Sequence, residues 1–246
     1  MDRDRARFHT TQWSLIAALP GRSGERDATR ARAALEHLCD AYWRPLYAFA
    51  RYSGYNADDA QDLTQAFLAS VIESGGLGAA DPARGRFRSY LLGAMKHFMA
   101  HQRERTRAQK RGGGRRFVER DIAEMESRIA SRSASPSTAS DAERAFDRDW
   151  ARETTAAAVR ELGAEWAERG RADQFEVLRP LLMGEGPPRS ELADATGMTE
   201  NALAVTIHRL RQRYAALVRE AVAQTVADER DIEDEMRYLV SVLREE

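Results

Sequence analysis

The chain has a single cysteine, Cys39, among its 246 residues. That excludes an intramolecular disulfide and a zinc site built on cysteines. Strand signals are almost absent: β-branched and aromatic residues do not alternate over any useful run, while Ala, Leu, Glu and Arg dominate. No apolar run approaches the roughly 18 residues of a membrane span, so no membrane insertion is expected. The N-terminus is charged and lacks a signal-peptide core, and the expected location is cytoplasmic. Ser/His/Asp and Cys/His constellations are missing, so the chain does not read as an enzyme, and nothing calls for a cofactor. His97 and His101 stand one helical turn apart, but without the glutamate of an H-E-x-x-H motif or a clear third ligand no metal site is expected. Lysine is scarce too: Lys96 and Lys110 are the only two, against 36 arginines.

What is present is charge, unevenly placed. The net charge is −1. Residues 101–120, however, hold eight basic and two acidic residues, a net of +6, and residues 220–246 hold three basic and nine acidic, a net of −6. A polyanion-binding surface near the middle of the chain and an acidic C-terminal tail follow from this asymmetry.

The apolar spacing predicts an all-α fold. A first helix starts behind Thr10 or Thr11 and carries Trp13, Leu15 and Ile16. A helix from about Thr29 to Tyr52 buries Leu35, Leu38, Tyr42, Leu46 and Phe49, with a kink at Pro45. Ser53 to Asn56 form a turn. A helix from about Ala57 to Glu73 follows, then a Gly-rich loop over 74–86 and a helix from about Phe87 to Lys110, stopped by Gly112-Gly113-Gly114. Residues 131–140, rich in Ser, have the composition of a flexible linker. A second helical unit begins near Ala142, with Phe146, Trp150, Val159, Leu162 and Trp166 as core candidates. The last segment places Ile232, Met236, Leu239, Val240 and Leu243 on one face of an acidic amphipathic helix. The expected domains are 1–111, a linker over 112–141, 142–219, and an extension over 220–246.

The stretch from Ser190 to Tyr214 carries the most information. A short helix is expected behind a capping Ser190, with Glu191 at its positive end. Gly197 breaks it in a left-handed conformation. A second helix starts behind Thr199 and buries Leu203, Ile207, Leu210, Tyr214 and Leu217, which step by four, three, four and three. Asn201, Ala204, Val205, His208, Arg209 and Arg211 lie away from that stripe. This is the pattern of a helix-turn-helix whose second helix enters a DNA major groove.

Asp58-Asp59-Ala60-Gln61-Asp62-Leu63-Thr64-Gln65, followed by Phe87-Arg88-Ser89-Tyr90-Leu91-Leu92 and an Arg-rich helix end, resembles region 2 of bacterial sigma factors of the extracytoplasmic-function type. His208-Arg209-Leu210-Arg211, ending the helix-turn-helix, resembles their region 4. The resemblance covers about residues 29–111 and 142–219. It implies a transcription initiation factor of two helical domains joined by a flexible linker. Asp58, Asp59, Asp62 and Gln65 would dock on the β′ clamp helices of core RNA polymerase. Arg88, Tyr90, Lys96 and His97, with Phe87 and Phe98 among them, would melt and read the promoter −10 element through stacking and phosphate contacts. Arg103, Arg107 and Lys110, with Arg105 and Arg111, would meet duplex phosphates. Asn201, Val205, His208, Arg209 and Arg211 would read the −35 element.

Two features depart from the family pattern. Gln61 and Ala66 stand where glutamate is frequent, and Thr64 stands where an apolar residue is usual. Family groups resembling this D-L-T-Q pattern are linked to serine/threonine kinases, and phosphorylation of Thr64 would add about −1.5 to −2 charges to the proposed polymerase-binding face. The opposite reading is a helix residue bonding its own backbone. The second departure is the acidic tail, which either completes the second domain's core or covers a basic DNA-binding face. A kinase or an anti-sigma protein is the regulatory partner class that the resemblance admits. Two alternatives stand beside it: a stand-alone helix-turn-helix regulator, and a sigma-like interaction adaptor without DNA binding.

Overall fold

The computed structural model describes residues 25–73, 86–108, 125–127, 129, 138–184, 186–226 and 228–245. Among them the regular structure is entirely helical. The helices are α1 (Glu25–Tyr52), α2 (Ala57–Glu73), α3 (Phe87–Ala108), α4 (Ala139–Glu168), α5 (Ala172–Leu178), a 3-10 turn (Arg179–Met183), α6 (Arg189–Thr196), α7 (Glu200–Ala223) and α8 (Arg230–Arg244). The expected first helix with Trp13, most of the 74–86 loop, the 112–114 glycine stop and the 131–137 part of the linker lie outside the described residues.

The chain forms two compact units, Met1–Ala151 with Gln224–Glu246, and Arg152–Ala223. The sequence placed the second domain at 142–219 and a separate extension at 220–246. The division instead falls inside α4 at Ala151, because Phe146 and Trp150 are buried in the first unit rather than the second. The C-terminal segment likewise belongs to the first unit.

In the first unit, α1 buries Leu35, Cys39, Tyr42, Leu46 and Phe49, a helical stripe of four- and three-residue steps. A proline inside a helix removes a hydrogen bond and costs about 3 kcal/mol. α1 nonetheless runs through Pro45, flanked by the buried Trp43, Leu46 and Tyr47. The helix ends where Gly54 takes φ +94°, a left-handed conformation that glycine adopts without strain. Asn56 and Asp59 then open α2 reciprocally: the Asn56 side chain accepts from the Asp59 N–H and donates to the Asp59 carboxylate, both at 2.8 Å.

α2 packs on α1 and buries Ala60, Leu63, Phe67, Leu68 and Val71. α3 buries Phe87, Leu91 and Met95, one per turn. Tyr42 is the hub: its ring meets Phe87 edge-on at 5.2 Å and stacks near Phe146 at 6.2 Å, which joins α1, α3 and α4. Burial pushes the Tyr42 hydroxyl well above the usual tyrosine range.

Two corrections concern this unit. The expected linker over 112–141 contains docked helical residues at 125–127 and 129. Met125 and Ile129 are buried, and Glu126 receives Arg51 Nε at 2.6 Å, Arg51 Nη2 at 2.7 Å and the Tyr47 hydroxyl at 2.6 Å. In the C-terminal helix Ile232 and Leu239 are buried and Met236 and Leu243 half-buried, as expected, but Val240 is 41% exposed, and Glu235 and Val242 are buried in addition.

In the second unit, Ala158, Leu162 and Trp166 of α4 and Phe175 and Leu178 of α5 are buried, with the Trp166 and Phe175 rings 6.1 Å apart. Val159, expected in the core, is only half-buried because Ala158 takes the inward position. Gly163 is needed for close approach: a Cβ there would lie 2.9 Å from Phe175 Cε1. Among the described residues no helix is long and apolar enough to cross a membrane.

Candidate nucleic-acid and partner-binding surfaces

The second unit contains the helix, glycine turn and helix that the sequence predicts. α6 begins after Pro188 without a side-chain cap, so Ser190 is not the capping residue; it sits inside the helix. Pro188 fits the entry because its φ of −54° is preset and it has no N–H to satisfy. Glu191 does lie in the first turn. Gly197 closes α6 at φ 67°, and the Met198 N–H returns to the Ala193 carbonyl at 3.1 Å. Thr199 caps α7, its hydroxyl accepting from the Ala202 N–H at 3.3 Å.

α7 buries Leu203, Ile207, Leu210 and Leu217, with Tyr214 half-buried. Burial raises the Tyr214 hydroxyl pKa. Asn201, Val205, His208, Arg209 and Arg211 are all exposed, and Val205 is an apolar residue 44% open to solvent. Arg211 donates from Nη2 to the Leu181 carbonyl at 3.1 Å, which steadies it at one edge of this face. Arg213, two residues further and on another side of the helix, serves packing: it donates to Glu165 at 2.6 and 2.9 Å and to Glu220 at 3.0 Å. Glu165 is held below the usual carboxylate range by the Arg213 hydrogen bonds, despite some desolvation. Asn201, Val205, His208 and Arg209 recur at helical spacing and form one polar, partly basic strip.

The first unit presents the acidic helix face. Asp58, Asp59 and Asp62 are exposed and Gln65 is half-buried. Asp59 is shared with the helix start, since its carboxylate also receives the Asn56 amide. Thr64 is different. It is fully buried and its hydroxyl donates to the Ala60 carbonyl at 2.7 Å. This arrangement matches the second of the two readings the sequence left open, a helix residue bonding its own backbone.

The expected −10-reading set is only partly assembled. His97 is exposed and Tyr90 half-buried, its hydroxyl pKa raised by burial. Lys96 is exposed but paired with Glu143 at 2.6 Å. Phe98 is half-buried against Phe67, with ring centroids 5.6 Å apart. Arg103 and Arg107 lie on the last turns of α3 with side chains outside the described residues, and Lys110 is outside them altogether.

Arg88 is the clear correction. Its side chain is buried, donates to Asp147, and donates to Glu235 Oε1 at 3.0 Å. Its guanidinium carbon lies 4.9 Å from the Trp150 ring centre and 4.4 Å from that of Tyr238. Glu235 is fully buried, and its Oε2 lies 2.8 Å from Arg86 Nη1 without hydrogen-bond alignment. The Tyr238 hydroxyl donates to Asp147 at 2.7 Å. Sequence reasoning missed Glu235, Tyr238 and Asp147. A signal existed: spacing 232, 235, 239 and 242 puts a carboxylate within an apolar stripe, and a buried carboxylate requires a cationic partner.

No protein-family model, curated protein or solved structure matches this chain.

Proposed function

We propose that this chain is a transcription initiation factor of the sigma type, which binds core RNA polymerase and directs it to promoters. The observation that carries the reading is the exposed strip of α7, Asn201, Val205, His208 and Arg209, presented behind a left-handed glycine turn. Such a strip carries amide, imidazole and guanidinium groups suited to base edges and phosphates in a major groove, with Val205 suited to a thymine methyl. The exposed carboxylates Asp58, Asp59 and Asp62 on α2 supply charge for a basic partner surface, which is the role of the β′ clamp helices in this reading. Tyr90, Lys96 and His97 on α3 are the residues assigned to the −10 element, and Arg103, Arg107 and Lys110 those assigned to duplex phosphates. The phosphate switch at Thr64 forms no part of the proposal.

The burial of Arg88 favours a second reading, a stand-alone helix-turn-helix regulator in which only α7 touches DNA. Such a protein binds duplex DNA without polymerase, usually as a dimer on a palindrome. In vitro transcription with purified core polymerase and genomic promoter fragments separates the two. Specific transcripts that depend on the added chain support the initiation factor. No transcript and no core binding, with retained duplex binding, would overturn it in favour of the regulator.

A further inference from the structure

The C-terminal helix fills a place whose chemistry suits a different occupant. Arg86 and Arg88 stand at the start of α3 and both meet the carboxylate of Glu235, while Arg88 also donates to Asp147 of α4, which keeps one partner on it when α8 leaves. The Arg88 guanidinium sits against Trp150 from α4 and Tyr238 from α8. An arginine against an aromatic ring, with a second arginine on the same carboxylate, supplies the groups that hold single-stranded nucleic acid: charge follows phosphate, and bases stack on rings and guanidinium planes. Two of the partners that complete this cluster, Glu235 and Tyr238, come from α8, an anion and an aromatic ring. We propose that α8 occupies a single-stranded DNA site built from Arg86, Arg88 and Trp150, with Glu235 in the place of a phosphate and Tyr238 in the place of a base, and that release of α8 opens that site. The proposal rests on the nucleic-acid reading of the first unit.

The hold of α8 is suited to exchange. Its buried apolar residues are Ile232, Leu239 and Val242, with Met236 and Leu243 half-buried beside them. Much of the remaining contact is the charge cluster, and a buried ion pair contributes little net stability because desolvation offsets the attraction. A phosphate that replaces Glu235 leaves the arginines neutralised, so exchange avoids the penalty of a buried unpaired charge. Leaving also uncovers Trp150, which is 3% exposed while α8 is in place. The Phe87 N–H, bonded to the Thr225 carbonyl at 3.0 Å, marks where the segment is attached beside the site.

The test uses the full chain and a fluorescein-labelled oligo-dT of about 20 nucleotides, read by anisotropy across a salt series. Glu235→Gln is expected to bind roughly 3- to 10-fold more tightly than the parent. Its log affinity against log salt should be steeper by about 0.7 for each phosphate newly met. Adding Arg88→Gln should remove the gain. Unchanged affinity in a folded Glu235→Gln chain, or a gain that survives Arg88→Gln, overturns the proposal. If Glu235→Gln fails to fold, hydrogen exchange on the parent chain decides. Oligo-dT and α8 compete for one site, so saturating oligo-dT must speed exchange over 230–244 and slow it over 86–92. No change over 230–244 overturns the exchange of occupants. Absence of binding by every form overturns the nucleic-acid reading of this unit as well, whereas binding without these changes overturns only the role of α8.

Discussion

Truncating Met125 to alanine tests the most consequential correction to the sequence reading. Met125 is 1% exposed, within the span 112–141 expected to be linker between the two domains. If that stretch is docked as the structure has it, Met125→Ala removes a core side chain and leaves a cavity. The loss is about 2–5 kcal/mol. With a urea m-value of about 2 kcal/mol per M, a loss of about 3 kcal/mol lowers the unfolding midpoint of the first unit by roughly 1.5 M. The assay is hydrogen exchange followed by mass spectrometry across a urea series, reading peptides from α1 that end at Tyr52. These report the first unit alone, which matters because two compact units need not unfold together. A midpoint shift below about 0.3 M, within the range of a surface substitution, would refute the docking. The pH dependence gives an independent check. Arg51 hydrogen bonds hold the Glu126 carboxyl below its ordinary value of 4.5. A depressed folded pKa contributes stability above the unfolded value, and that contribution fades as pH falls through 4.5 and then through the folded pKa. Glu126→Gln should therefore lower stability at neutral pH and flatten the acid side of the curve.

Three further outcomes follow from the geometry. Gly163→Ala brings a methyl group to 2.9 Å from Phe175, so despite a better helix propensity it should destabilise the second unit by about 1–2 kcal/mol in thermal melts, and a gain in stability would contradict the packing. Asp62→Arg, on the exposed face of α2, should abolish co-purification with core polymerase while leaving the melting curve within about 0.5 kcal/mol of the parent; retained polymerase binding removes the docking role. Thr64→Glu places a charge in a fully buried position and should destabilise the first unit by more than about 3 kcal/mol, whereas Thr64→Ala should cost about 1–2. Equal melting curves for the two would show that Thr64 is accessible after all.

Fold class was legible because helical periodicity is a local property. The stripe from Leu203 to Leu217, the left-handed Gly197 and the Thr199 cap each depend on a few neighbouring residues, and each is in place. The exposed strip of α7 was legible for the same reason, as the complement of a buried stripe. Cap positions were less so. Ser190 is a strong capping residue by type, yet the chain entered α6 one turn element earlier through Pro188, whose fixed φ serves equally well. The docking of Met125, Glu126 and Ile129 is not legible locally, because it is set by partners distant in sequence. Those of Glu126 are Arg51 and Tyr47, more than seventy residues away in sequence.

Arg88 shows why a charged residue in a binding motif does not by itself reveal a binding surface. Its sequence neighbours, Phe87 and Tyr90, made it look like part of an aromatic and cationic strip. Whether it faces solvent was decided elsewhere, by Glu235 and by Asp147. Burial of a guanidinium is costly unless carboxylates accompany it, and here two do. The converse argument is the one the sequence did offer. A glutamate on the buried stripe of an amphipathic helix is unfavourable anywhere in a folded protein except opposite a cation. The spacing of Ile232, Glu235, Leu239 and Val242 therefore already required a basic partner. Arg86 and Arg88 meet that requirement on the first unit, with Arg88 also against Trp150. The C-terminal helix is thus bound by charges of the kind a polyanion would seek, and on the proposed reading a nucleic acid at the start of α3 competes with it.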